Sequence, residues 1–180
     1  MRRGRAWHFA VLSIAIAAGA PAAEVGAPSC PLDVTASDPA LQRTYAEFRR
    51  SIESSPFARR LGRPASCTAR VEGGSIRLEY VSPKGAKLEA KRDPAIEYTE
   101  QRLSVTGLSR KAALALLQRT ERWAFGEKGC GIAWKKSSER EDGPVPGSRE
   151  VVYRGEACNC QGRLVYSGEA LTALVFSSAC

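Results

Sequence analysis

The stretch that decides the fold is residues 129–180, which read GCGIAWKKSSEREDGPVPGSREVVYRGEACNCQGRLVYSGEALTALVFSSAC. It contains four of the six cysteines of the chain, at positions 130, 158, 160 and 180. Between them lie three short segments rich in apolar residues, 151–153, 164–166 and 171–176. Short apolar segments separated by polar turns predict a C-terminal antiparallel β-meander, and the cysteines predict that disulfides staple it.

The N-terminus has the features of a secretory signal peptide. Three arginines among the first five residues are followed by an apolar run over residues 6–18 and then by small residues. This order predicts cleavage after Ala22, so that residues 1–22 form the signal peptide. The apolar run is shorter than the roughly 20 residues that a membrane-spanning helix needs. We therefore expect an exported, soluble chain without a transmembrane segment.

Cleavage sets the composition of the mature chain, residues 23–180. Three of the 27 Lys and Arg residues lie in the leader, which leaves 24 against 19 Asp and Glu and a net charge of +5. All six cysteines lie beyond the leader. An even number of cysteines in an exported chain predicts three disulfides and a periplasmic or secreted location, because those compartments are oxidising.

Six cysteines allow 15 disulfide pairings, and the predicted order of elements narrows the choice. One bridge should join the N-terminal arm to the first strand. The two others share the close pair at positions 158 and 160, and a tight turn near residues 166–170 slightly favours one of two arrangements. The expected pairs are Cys30–Cys67, Cys160–Cys180 and Cys130–Cys158, with Cys130–Cys160 and Cys158–Cys180 as the alternative.

Helix-start signals occur at three places. Asp38-Pro39 and Ser55-Pro56 each place a capping side chain before a proline, and Ser109 precedes a run of apolar and basic residues. These signals predict a first helix from residue 39, a second over about 56–61 that ends at Gly62, and a third from residue 110 that ends by Gly126.

Strand signals begin at residue 67, where the apolar period changes to two. Residues 67–72 and 76–80 alternate as half-buried strands do, whereas 86–91 and 96–105 are polar on both sides and are expected to be edge strands or partly loop. Residues 129–134 are expected to begin the final meander. The charged loop 137–148 should be its least structured part, followed by strands near 149–155, 160–166 and 170–177.

These elements predict an α+β fold with an N-terminal helix or helix pair, antiparallel strands, a further helix and the stapled meander. Residues 23–37 are expected to form an extended arm and residues 38–180 a single domain. A helix, a cysteine and several strands occur twice in succession. Residues 38–107 and 108–180 are therefore candidate units of an α-then-β pseudo-repeat, although residue identities between them are few.

The mature chain lacks histidine, because the single histidine is His8 in the leader. This excludes Ser-His-Asp and Cys-His triads and histidine-ligated metal sites. Glycan hydrolysis by paired carboxylates stays open, with Glu150, Glu156 and Glu169 as candidates. Thiol redox chemistry by Cys158 and Cys160 is a second option. Solvated acids and structural disulfides are the simpler interpretations, so we expect no enzyme, no cofactor and no metal.

Basic residues point to a partner instead. A positive chain attracts anionic surfaces, so a protein or an anionic envelope component is expected, while nucleic acid is not, since the basic residues are not interleaved with exposed aromatics. One basic set lies on predicted helices and one near turns, although interspersed acids favour a solvated face for both. The sets are Arg49, Arg50, Arg59, Arg60 and Arg63, and Lys84, Lys87, Lys91 and Arg92.

The charged loop and the aromatic–basic cluster before it are the expected contact region. The candidate partner-binding residues are Trp134, Lys135, Lys136, Arg140 and Arg149. In arrangement, helices leading into a stapled four-stranded meander resemble small enzyme-inhibitor and immunity proteins of bacteria. The sequence therefore predicts a non-enzymatic binding protein of the bacterial envelope, with a carboxylate-dependent cell-wall glycan hydrolase and a thiol redox factor as alternatives.

Overall fold

The structure is a computed structural model that describes residues 30–33, 38–140 and 147–180. The predicted signal peptide, most of the predicted arm and residues 141–146 of the charged loop lie outside the described residues. Within the described ranges the fold is α+β with three disulfides, as predicted. No helix there is long and apolar enough to cross a membrane.

The described ranges contain three helices and nine strands. The helices are α1 (Pro39–Ser54), α2 (Pro56–Leu61) and α3 (Arg110–Phe125). The strands are β1 (Leu32–Asp33), β2 (Ser66–Glu72), β3 (Ser75–Val81), β4 (Lys87–Asp93), β5 (Tyr98–Ser104), β6 (Ser138–Arg140), β7 (Ser148–Arg154), β8 (Gln161–Ser167) and β9 (Ala170–Ala179).

These strands form one sheet in the order β1-β2-β3-β4-β5-β9-β8-β7-β6. Strands β2–β5 and β6–β9 are each an antiparallel meander, and β1 adds a parallel edge beside β2. The last strands of the two meanders, β5 and β9, pair antiparallel at the centre. Each meander follows a helical segment, so the chain forms two helix-then-meander units that meet at the β5–β9 seam. Their origin by duplication stays a prediction.

The placement of β4 and β5 overturns the expectation of edge strands or loop. Both lie inside the sheet, and β5 forms the central seam with β9. Leu88 and Leu103 are fully buried on one face, while Glu89 and Arg102 face each other on the other. The polar composition that suggested an edge reflects this charged face, together with Gln101, a polar residue that is buried at 1% exposure.

The helices pack on one face of the sheet and form the main core with it. Burying one large apolar side chain, such as Leu, Ile or Phe, stabilises the folded state by roughly 1.5–3 kcal/mol relative to leaving it exposed. From the helices the core receives Tyr45, Phe48, Ile52, Phe57, Ala113, Leu116 and Leu117, and from the sheet Ile76, Leu78, Leu88, Leu103, Val151, Leu164, Leu174 and Phe176.

The disulfides confirm one predicted pair and correct the other two. Cys30 pairs with Cys67 as expected, but Cys130 pairs with Cys160 and Cys158 with Cys180, so the favoured arrangement was wrong and the alternative is found. The β8–β9 register aligns Gln161 with Ser177 and, continued outward, brings position 158 opposite position 180. The same register, continued outward, brings Cys160 opposite Ser178, two residues short of Cys180, and Cys160 pairs with Cys130 instead.

Residues 129–134 are not a strand, contrary to the prediction that they begin the meander; the first strand there is β6, inside the predicted loop. Glu121 of α3, only 7% exposed, holds this segment. Its Oε1 accepts hydrogen bonds from the backbone N–H of Cys130 at 3.0 Å and of Ile132 at 3.1 Å. Its Oε2 accepts one from Trp134 Nε1 at 2.7 Å. A Cβ on Gly129 would lie 2.6 Å from Oε1, so this approach requires glycine.

Candidate binding groove between α2 and α3

Trp134, one of the five candidates for partner contact, is packed against several parts of the fold. Its ring is half-buried and lies 5.4 Å from the Tyr153 ring, centroid to centroid. A Cβ on Gly162 would lie 2.6 Å from Trp134 Cη2, so the indole fills the space that this glycine leaves. The Nε1–H of Trp134 is donated to Glu121, so the indole is held on three sides, and its remaining surface lines a pocket of about 280 Å³ with Gly131 and Ile132.

The other four candidates do not gather around Trp134. Lys135 and Lys136 are exposed. The Arg149 guanidinium lies 4.8 Å from the Tyr166 ring centroid, with Nη1 3.4 Å from a Glu139 oxygen. Arg149 is four residues from Tyr153 on β7, which corresponds to about 13 Å along a strand. The side chain of Arg140 lies outside the described atoms.

The three candidate carboxylates for glycan hydrolysis do not share a cleft. Glu156 follows the C-terminal end of β7, and Glu169 lies in the β8–β9 turn at the opposite end of the sheet; both are exposed. A seven-residue strand separates these ends by about 20 Å. Glu150 is 4% exposed on β7 and lies near Arg163 instead, with Oε1 3.7 Å from Nη1.

The two cysteines proposed for redox chemistry belong to separate bridges. Cys158 and Asn159 have positive φ values, 54° and 43°, so Cys158 lies in a turn rather than beside Cys160 on a strand. Every cysteine of the chain is disulfide-bonded. In the described ranges no cluster of three or more His, Cys, Asp or Glu side chains is arranged to hold a metal ion. This arrangement favours the structural interpretation of the cysteines.

The sheet face opposite the helices carries many charges, and most of them are paired with one another. Arg70, Arg77 and Lys91 are neighbours across β2, β3 and β4, an arrangement that places like charges side by side. Ion pairs with neighbouring acids offset the repulsion between like charges on this face. They are Arg70–Glu72, Arg77–Glu72, Lys87–Glu79, Arg102–Glu89, Arg163–Glu100 and Arg163–Glu150. We call this surface the open sheet face.

A shallow groove of about 360 Å³ lies on the open sheet face. Tyr98 at its edge donates a hydrogen bond to Glu100 Oε2 at 2.7 Å. Burial, together with this hydrogen bond, raises the pKa of the Tyr98 hydroxyl to about 12. Lys91 Nζ lies 5.9 Å from the Tyr98 ring centroid. Most polar and charged groups that line this groove are therefore already hydrogen-bonded or ion-paired with neighbouring groups.

A different groove lies between α2 and α3, with a volume of about 610 Å³. We call it the arginine groove. Its walls contain four arginines and its remaining lining is apolar: Pro56, Arg59 and Arg60 come from α2, and Leu116, Arg119, Arg122 and Trp123 come from α3.

Helical periodicity explains how the two helices present these side chains. Residues three, four and seven apart share one face of a helix, so Leu116, Arg119 and Trp123 form a stripe on α3. On α2, Phe57 is fully buried and anchors the helix, while Arg59 and Arg60 in its last turn remain exposed. The basic last turn also suits the negative end of the helix dipole.

The arginines of the groove form no ion pairs with the described acids. Among the described residues, none of the four guanidinium groups lies within 4.0 Å of an Asp or Glu oxygen. The sequence explains this, since it has no acid between Glu53 and Glu72 or between Glu100 and Glu121. Glu121 itself is turned toward residues 129–134. The groove is therefore a concentration of positive charge without direct ion pairs to the described acids, with Glu53 bordering Arg59 and Glu127 bordering Arg122 in adjoining pockets.

Ser54, at the end of α1, fixes two side chains of the groove. The Arg59 guanidinium donates to its carbonyl oxygen, from Nη2 at 3.0 Å and from Nε at 3.3 Å. Its hydroxyl donates to the Ser51 carbonyl at 2.8 Å and lies 3.4 Å from Trp123 Nε1, which donates to it. One wall of the groove and its indole are thus held in place before any partner arrives.

Only part of the helical set of basic residues that the sequence suggested lies in the arginine groove. Arg49 was placed with Arg59 and Arg60, but its Nε lies 2.7 Å from Glu53 Oε1, an i,i+4 pair on α1. Arg119 and Arg122, which come from a different part of the sequence, complete the groove. The signal that could have revealed it is the absence of acids over residues 54–71 and 101–120.

Comparison with protein-family models, with curated proteins and with solved structures finds no match for the chain. The geometry of the groove is therefore the basis for assigning a function.

Proposed function

We propose that the protein is a non-enzymatic binding protein of the periplasm or extracellular space, and that its arginine groove holds an anionic partner, either a protein or an envelope component. The observation that carries the proposal is the set of four exposed arginines without carboxylate partners around one indole ring. The predicted leader and the three disulfides support an oxidising compartment.

The four arginines repel one another and have no carboxylate partner within 4.0 Å among the described residues. Like charges a helical turn apart, such as Arg119 and Arg122, cost about 0.2–0.5 kcal/mol per pair. A carboxylate or phosphate oxygen accepting a hydrogen bond from a guanidinium contributes about 1.5–3 kcal/mol, and the planar fork of arginine suits both groups. An anionic partner would therefore remove a repulsion and add charge-assisted hydrogen bonds.

The open sheet face makes an instructive contrast. It carries at least as many basic residues as the four of the groove, but Arg70, Arg77 and Arg102 form ion pairs with glutamates. A partner there would have to displace existing ion pairs, so the net gain is small. This difference between two basic surfaces of one protein favours the arginine groove as the binding site.

The double variant Arg119→Glu/Arg122→Glu tests this proposal. With fluorescently labelled poly-L-glutamate as the probe, residues 23–180 should bind in a salt-dependent manner. The variant should bind at least about 100-fold more weakly, because two charge-assisted contacts are replaced by repulsion. Fluorescence anisotropy at low and physiological salt measures both affinities.

The matched control is Arg77→Glu/Lys91→Glu, which changes the charge by the same amount on the open sheet face. It should leave the affinity within about threefold, since surface charges distant from the site act only through screened fields. Equal losses in the two double variants would contradict the proposal, and so would the absence of binding to the wild-type chain. Thermal unfolding of each variant confirms that it is folded.

A further inference from the structure

Resting on the proposed function, we propose that the partner segment is an extended polypeptide in which large apolar side chains are flanked by acidic ones. The juxtaposition that carries this is an apolar floor between two arginine-bearing walls. Leu116, only 2% exposed, lies at the bottom, with Trp123 and Pro56 beside it. Arg59 and Arg60 lie on one wall, and the two arginines of α3 lie on the other.

The apolar floor distinguishes between kinds of anion. A purely charged polymer would satisfy the guanidinium groups but would leave the indole of Trp123 and the ring of Pro56 in water. A segment with an apolar side chain would cover them, and covering apolar surface contributes about 25 cal/mol per Å². Tryptophan and arginine side by side are also the residues that most often dominate protein–protein affinity.

The indole of Trp123 is held in one orientation before a partner binds. The hydrogen bond from Trp123 Nε1 to Ser54 Oγ fixes the orientation of the ring, and Arg59 is tied to the carbonyl of the same serine. Side chains that are ordered before binding lose less entropy when the partner arrives. Ser54 therefore acts as a positioning residue for both the apolar and the charged part of the groove.

The alternation of apolar floor and charged walls favours an extended segment. Successive side chains of an extended chain point in opposite directions. Apolar side chains can then point to the floor while acidic neighbours reach the walls. The volume of about 610 Å³ accommodates one or two large side chains.

A membrane surface and a bare polyanion are the competing occupants. A lipid headgroup plane is broad and flat, and it would meet the arginine walls without entering the concave floor. A phosphate polymer would enter but would gain nothing from the floor. Both remain distinguishable from an acidic–apolar segment, because only the segment depends on Trp123.

The experiment compares four probes on residues 23–180: a twelve-residue peptide alternating Asp and Leu, a peptide of equal charge alternating Asp and Ser, polyphosphate, and phosphatidylglycerol vesicles. The Asp-Leu peptide should bind at least about tenfold more tightly than the Asp-Ser peptide, since one buried apolar side chain contributes that factor. Trp123→Ala should remove this gain, so that the affinities of the two peptides differ by less than about twofold. Trp123→Phe, which keeps a ring, should retain most of it and controls for misfolding.

The outcomes separate the two proposals. Equal binding of the Asp-Leu and Asp-Ser peptides, a gain unaffected by Trp123→Ala, or tighter binding of polyphosphate or vesicles would overturn the acidic–apolar segment while leaving an anion-binding groove. Failure of all four probes to bind would overturn the proposed function itself. Loss of Asp-Leu binding alone in Ser54→Ala, with an unchanged unfolding midpoint, would further support the positioning role of Ser54.

Discussion

Replacing Glu121 with alanine is expected to lower the free energy of unfolding by about 4 kcal/mol, because three donors lose their acceptor and each buried unsatisfied group costs about 1–3 kcal/mol. The donors are the backbone N–H groups of Cys130 and Ile132 and the Nε1–H of Trp134. Glu121 is 93% buried, so water does not replace it without rearrangement. Urea denaturation followed by circular dichroism measures the loss.

Two further variants test whether the expected loss comes from the hydrogen bonds of Glu121. Glu121→Gln keeps the shape but turns one acceptor into a donor facing other donors, so it should cost about half as much as alanine. Glu127→Ala removes an exposed acid of the same region and should change the free energy by less than about 0.5 kcal/mol. A loss below about 1 kcal/mol for Glu121→Ala would mean that other contacts hold residues 129–134.

Removing the Cys130–Cys160 bridge by double substitution with alanine is the second large effect. The bridge spans 30 residues, and loop-closure entropy over such a span stabilises a protein by about 4 kcal/mol. Both cysteines are also buried, at 2% and 0% exposure, so packing is lost as well. Thermal unfolding and urea denaturation of the purified variant measure the change.

The matched control is the Cys158–Cys180 bridge, which spans 22 residues and ends at an exposed residue. Its removal should cost about 3 kcal/mol: the loop term is only about 0.3 kcal/mol smaller, and the exposed terminal cysteine contributes less packing than Cys130 and Cys160. A larger loss for this bridge than for Cys130–Cys160 would contradict the view that the buried bridge staples the core. Because Cys130 N–H donates to Glu121, the effects of the first two predictions should not add.

The helices could be predicted because their signals are local. Asp38, Ser55 and Ser109 each accept a hydrogen bond from a backbone N–H two or three residues away, in Ala40, Ala58 and Ala112 respectively. Such caps depend on the neighbouring sequence alone. The α+β class followed from them together with the alternating segments. The positions of β4 and β5 did not, because strand order depends on contacts between distant residues.

The disulfide pairing was difficult to predict for the same reason, because it depends on contacts between residues that are distant in sequence. Two arrangements differed only in which of two cysteines, two residues apart, faces Cys180. The pairing of β8 with β9, continued beyond Gln161, brings Cys160 to Ser178 and position 158 to Cys180. Cys158 lies in a turn with positive φ, which the spacing of the cysteines alone does not show.

The candidate site was missed because it is assembled from two distant segments. Arg60 and Arg119 are far apart in sequence, and only the packing of α2 against α3 brings their walls together. The sequence directed attention to Trp134 because it precedes Lys135 and Lys136. The orientation of its ring, however, is decided by Glu121 and Gly162, which are remote in sequence.

The proposal that the arginine groove binds an anion is tested most directly by mapping where the anion contacts the protein. Amide chemical shifts of ¹⁵N-labelled residues 23–180 are recorded during titration with poly-L-glutamate. The account predicts that the shifts concentrate at Arg59, Arg60, Arg119 and Arg122 and at the indole Nε1–H of Trp123, while β3 and β4 stay unchanged. Shifts centred on the open sheet face, around Arg77 and Lys91, with Trp123 unaffected, would contradict it.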